Sequence, residues 1–133
     1  MLFEDALHDT IKFEKPRMPS SIYKFGEENH HPKEKMKDAF EHGHFVSIND
    51  REWQSLKNSN SWSIKSLDDI KKQNIDFTRE FNTLQKAIKY NNPIESPTVL
   101  QVENDQPYLL DGEIWLMCMK AMGIKPTVYW VNL

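Results

Sequence analysis

One cysteine in 133 residues excludes an internal disulfide framework and fits a reducing compartment. No run approaches the ~20 consecutive apolar residues that span a bilayer, which argues against a helical membrane segment and a membrane partner. The opening MLFEDALHD is acidic where a secretory leader is basic and then apolar, so a soluble, cytoplasmic chain is expected. Basic excess is also missing. Seventeen Lys and Arg stand against 20 Asp and Glu, for a formal net charge of -3. A protein that covers nucleic acid with a broad phosphate footprint is usually basic, so global steering to a polyanion is unsupported, while local basic patches are not excluded.

What is present is enough for a real core. The length is that of one typical domain. Four Trp, four Tyr and seven Phe are more aromatics than a disordered chain carries, and the 28% of charged residues lies within globular range.

Residues 1–60 and 61–133 read differently. The first part has weak periodicity, scattered prolines (Pro16, Pro19, Pro32) and all five histidines. Between Ile11 and Gly26, two prolines interrupt any helix or ladder, which predicts an extended arm with short strand-like pieces. Pro32 then suits a helix start and Gly43 a stop, with Met36, Ala39 and Phe40 on one face between them. Phe45 to Ile48 alternates like a short strand, and Asp50 is placed to cap a helical turn through Trp53 and Leu56. The polar run KNSNSWS (57–63) reads as a loop and as the boundary of an N-terminal extension that packs on the core.

The second part is more legible. A helix opened by Asp76 or Thr78 carries Phe77, Phe81, Leu84, Ala87 and Ile88 at helical spacing, and Asn91-Asn92-Pro93 ends it. Thr98 to Val102 and Pro107 to Leu110 read as two strands joined by ENDQ, a normal hairpin length. Asp111-Gly112 then opens a helix from Glu113 to Met122 that is apolar almost all round, which places it between layers. Gly123 is its expected left-handed C-cap, with Lys120 in the favoured last turn. A final strand starts near Pro126. The expected class is α+β: a small mixed sheet with helices and an irregular N-terminal extension.

The segment PTVLQVENDQPYLLDGEIWLMCMKAMGIKPTVYWV (97–131), in the order helix, strand, strand, buried helix, strand, resembles the core of the ParB/sulfiredoxin superfamily. Members carry a "DG-x-H-R-L-x-A-A" or "G-E-R-R-x-x-A-A" box and a helix closing in "LGI". Asp111, Gly112, Leu116, Ala121, Gly123 and Ile124 match in kind and spacing, and Glu113 matches the Glu of the second version. The resemblance implies a ParB-like domain over 61–133 and a ligand pocket at the helix start, around Gly112, Ile114 and Trp115. In the family, a His or Arg followed by an Arg grips phosphate there, helped by free backbone N–H groups. Here those positions are Ile114 and Trp115, which cannot neutralise a phosphate. Losing a desolvated Arg–phosphate pair costs ~2–5 kcal/mol, so nucleotide binding in the family manner is not expected. Sulfiredoxins place a catalytic Cys directly after the Gly of the box. Glu113 stands there instead, and Cys118 lies more than a helical turn further on.

Several residues invite a chemical reading and a plainer one. Asp111 and Glu113 can share a divalent cation or act as a general base; alternatively, Asp111 caps the helix and Glu113 favours its positive end. His42 and His44 can face one metal if their segment is extended, with His30 and His31 folding back to complete the site; a flexible His-rich surface is the plainer account. Trp115 either stacks on a base or plugs the pocket, and Cys118 with its neighbouring methionines belongs to the core. Lys65, Lys71, Lys72, Arg79, Lys86 and Lys89 form either a solvated face or a contact with DNA or RNA. The leading expectation is an accessory or binding module with a degenerate nucleotide site. Its partner is a nucleic acid or another protein, and a homodimer is as compatible as a monomer. The small, Lys/Asn-rich chain suits a bacterial, phage or mobile-element setting. The alternative is a metal-dependent nuclease or nucleotide-dependent phosphotransfer enzyme using Asp111 and Glu113, in which metal replaces the missing Arg. No cofactor is specified by the sequence.

Overall fold

The computed structural model describes residues 11–72 and 78–133. In chain order the elements are β1 (Lys12–Glu14), α1 (Ser20–Glu28), α2 (Lys33–Glu41), β2 (His44–Ser47), α3 (Asp50–Ser55), a single 3-10 turn (Ser61–Ser63), α4 (Leu67–Lys72), α5 (Thr78–Tyr90), β3 (Pro93–Glu95), β4 (Thr98–Gln101), β5 (Tyr108–Asp111), α6 (Glu113–Ala121) and β6 (Thr127–Asn132). The class is α+β, with a mixed sheet ordered β2-β6-β4-β5. β6 runs parallel to β4, and the two outer pairs are antiparallel. A separate parallel pair joins β1 to β3.

Both faces of the sheet are covered, so β4 and β6 read as near-continuous apolar runs. Strand side chains alternate between faces. Val99, Leu109 and Val128 pack with Leu116, Met117, Cys118 and Met119 of α6 and with Leu84 and Ala87 of α5. Leu100, Tyr129 and Val131 point the other way, onto Ile22 of α1 and Met36 and Phe40 of α2. The result is three layers, with α1 and α2 on one side and α4 to α6 on the other. Residues from before and after position 60 share both clusters, and β2 hydrogen-bonds directly to β6.

The expected extended arm over 11–26 holds only for its first part. β1 is extended, but Ser20–Glu28 is a helix whose preceding residue, Pro19, has φ -71 and ψ 145. The prolines end at Pro19, and nothing after it blocks helical hydrogen bonds. Met18, Ile22 and Phe25 then fall at helical spacing, and Ile22 is fully buried. The cap of α3 also differs. Asn49 rather than Asp50 is the N-cap: its side chain accepts from Glu52 N at 2.9 Å, and the Glu52 carboxylate accepts from Asn49 N at 3.1 Å. An amide oxygen at 49 and a carboxylate three residues on satisfy two helix-end donors reciprocally.

The helix from Lys33 to Glu41 and α5 from Thr78 lie where the sequence places them, while the strand expected over 45–48 forms one residue earlier, at His44–Ser47. Asp76 and Phe77 lie outside the described residues. Asn91, at φ 56, turns the chain out of α5. α6 ends as expected: Gly123 has φ 72, Ile124 N donates to Met119 O and Gly123 N to Lys120 O, the paired bonds of a Schellman motif. No described helix is long and apolar enough to cross a membrane.

Candidate functional site

The turn into α6 forces the geometry of a cleft. β5 ends at Asp111, and Gly112 serves as N-cap of α6 in the left-handed region, φ 89 and ψ 24. A Cβ at Gly112 would lie 2.8 Å from Pro97 Cα, so both the backbone angle and the close approach of the 96–97 segment select glycine. The expectation that Asp111 caps α6 is therefore corrected. The N-cap residue is Gly112, without a side-chain capping bond, and Asp111 is the exposed last residue of β5, in register with Thr98.

Asp111, Gly112, Glu113, Ile114 and Trp115 line one cleft of about 450 Å3 together with Asn58, Glu80, Leu109 and Leu110. The structure thus brings five of the seven sequence-derived site residues together. Glu113 does more than face the positive helix end: its Oε1 accepts from Asn60 N at 2.8 Å. That bond ties the 57–63 segment to the start of α6. The same segment closes the β5 edge. Asn58 Nδ2 donates to Leu109 O at 2.9 Å while Leu109 N donates to Asn58 Oδ1 at 3.1 Å, and Lys57 N donates to Pro107 O. An amide side chain here takes the place of a neighbouring strand.

Trp115 is half-buried on the cleft wall and also packs on the main core cluster. It narrows the cleft without filling it. Among the described residues, three carboxylates line the cleft, those of Glu80, Asp111 and Glu113, and no Lys, Arg or His does. They complement the positive end of α6 internally. An anionic ligand would meet like charge there. Within α6, Cys118 is fully buried in the core and its thiol is pushed up to about 11, first by burial and then by the charge of Glu80.

His42 and His44 do not share an extended segment. His42 is the C-cap of α2, with φ -95 and ψ 10, and its Nδ1 lies 2.8 Å from Asp38 O and 3.5 Å from Asp38 Oδ1. His44 is the exposed first residue of β2. The imidazole of His31 bonds through Nδ1 to Lys35 Nζ at 3.3 Å. Helix propagation through Glu41 is what breaks the alternation assumed for a His-x-His pair. Among the described residues no group of three His, Cys, Asp or Glu stands close enough to hold a metal ion.

At the other end of α6 a second cleft, of about 550 Å3, has the opposite charge: Lys65, Lys120 and Lys125 line it with Asp50. Lys120 Nζ lies 2.8 Å from Asp50 Oδ1 and 4.6 Å from the Trp53 ring centroid, which holds its charge beside the negative helix end.

Sequence reasoning missed Glu80, Asn58 and Asn60. Glu80 had a signal: it stands four residues before Leu84 and seven before Ala87, on the inward side of the α5 stripe. The contribution of Asn60 is a backbone N–H, for which residue type carries no signal. Comparison of the chain with protein-family models, with curated proteins and with solved structures finds no match.

Proposed function

We propose that the chain is a ParB-like binding module, cytoplasmic, that works through macromolecular contact and whose nucleotide site is degenerate. The order α5, β4, β5, α6, β6 and the Asp111-Gly112 turn into an interior helix support the kinship. One observation carries the functional reading. The cleft at the start of α6, where phosphate would be gripped, is lined by three carboxylates and by Ile114 and Trp115, with no cation lining it among the described residues. Like charges in a partly desolvated cleft cost several kcal/mol, which disfavours phosphate more strongly than a merely missing Arg would.

The alternative, a metal-dependent nuclease or phosphotransferase, is favoured only by Asp111 and Glu113 sharing that cleft. Thermal unfolding with a nucleotide panel, alone and with Mg2+, Mn2+ or Zn2+, separates the two. The binding-module reading predicts an unchanged midpoint throughout. A midpoint raised by several degrees by nucleotide plus metal, with the rise abolished by Glu113→Ala, would overturn the degenerate-site reading in favour of the alternative.

A further inference from the structure

The exposed side of α5 carries a charge pattern of its own. α5 carries Arg79, Asn82, Thr83, Lys86, Lys89 and Tyr90 as exposed residues. At 100° per residue these six fall within an arc of about 120°; the buried Leu84 lies opposite it, and the buried Ala87 lies to one side, outside the arc. The only acid in the helix is Glu80, and it is turned away into the α6 cleft. A chain with a net charge of -3 therefore presents one helix face with three cations and no carboxylate of its own. Tyr90 is 62% exposed at the end of that face, with Lys89 Nζ 5.3 Å from its ring centroid.

Resting on the reading of the chain as a binding module, we propose that this face of α5 docks on double-stranded DNA. Charge complementarity selects a polyanion. Geometry then selects the duplex. Arg79 and Lys89 are ten residues apart, about 15 Å along the axis, and a helix about 10–12 Å in diameter matches the ~12 Å major groove of B-DNA. The deep, narrow major groove of A-form RNA does not admit it. Arg79, Lys86 and Lys89 neutralise backbone phosphates, and Asn82 supplies an amide of the kind that pairs with adenine edges. The face acts locally, since a charge is screened beyond about 8–10 Å at ordinary salt, and so it tolerates the acidity of the rest of the molecule.

Fluorescence anisotropy of the full chain with a labelled 20-base-pair DNA duplex, across a salt series, tests this. Three neutralised phosphates predict a log–log salt slope of about -2.7, an affinity loss of about 40-fold between 50 and 200 mM salt. Arg79→Gln, Lys86→Gln and Lys89→Gln together should flatten the slope to near zero and weaken binding at least tenfold at low salt. Lys24→Gln, Lys35→Gln and Lys37→Gln together, the same change in charge on the opposite layer, should leave both unchanged. Equal loss in the two triple variants, or no binding of duplex DNA by the native chain at 20 mM salt, would overturn the proposal. Equal or tighter binding of duplex RNA or single strands with the same α5 dependence would overturn the assignment to DNA. None of these results alters the nucleotide-and-metal melts, so failure here is distinct from failure of the binding-module reading.

Discussion

Two residues, one at the start of α6 and one inside it, have consequences that can be measured singly. Gly112 holds a left-handed backbone with Pro97 Cα 2.8 Å from where a Cβ would sit. Gly112→Ala adds the left-handed penalty of ~1–2 kcal/mol to a clash with backbone that cannot rotate away. A urea melt should show a loss of at least about 2 kcal/mol; a loss under about 0.5 kcal/mol would mean that the turn is not built as described. Cys118 is the second. Its thiol is held near 11 in the folded chain against an ordinary value of 9. Burial favours the neutral form, so its contribution to stability is complete below about pH 9 and is lost as pH rises toward 11. At pH 7.5 roughly one thiol in three thousand is ionised, and the native protein should resist a thiol-alkylating reagent that labels it fully in denaturant. Rapid labelling of the native protein would place Cys118 at the surface.

At the scale of elements, local signals and tertiary ones diverge. α6 was legible because nearly every residue from Ile114 to Met122 is apolar and because Gly112 and Gly123 bracket it. α5 was legible from its stripe, and β4 and β5 from two apolar runs around a polar turn. α1 was not, because Pro16 and Pro19 dominate the reading while the helical spacing of Met18, Ile22 and Phe25 begins before the second proline and continues past it. The α3 cap shows a finer ambiguity: Asn49 and Asp50 are both good caps, and only the position of Glu52 decides between them. Asn49→Ala should cost about 1 kcal/mol, whereas Asp50→Ala should cost less, because it keeps the cap and loses only charge interactions with the mostly buried Lys120 side chain and with the helix start. Equal costs, measured by urea melts, would contradict the capping box. Of the cleft, Asp111 to Trp115 were visible as neighbours in sequence. Glu80, Asn58 and Asn60 arrive from other elements, and only the packing of α5 and the 57–63 segment around α6 brings them there.

For the whole molecule, the sheet explains why the N-terminal helices matter. Without α1 and α2, Leu100, Tyr129 and Val131 would face water; with them, Ile22, Met36 and Phe40 complete a second core. Burying an aliphatic or aromatic side chain of this size stabilises by ~1.5–3 kcal/mol, so this layer is a principal part of the fold. The charge distribution has an equally global pattern. Carboxylates gather at the positive end of α6 and lysines at its negative end, which leaves the exposed face of α5 as a cationic surface apart from either cleft. Backbone amide chemical shifts measured by NMR during titration, first with a nucleotide and then with a short DNA duplex, test this division directly. No movement is expected at 111–116 with nucleotide, and movement with DNA should be confined to α5 around 79, 82, 83, 86, 89 and 90. Nucleotide-dependent shifts centred on Gly112 to Trp115 would contradict it.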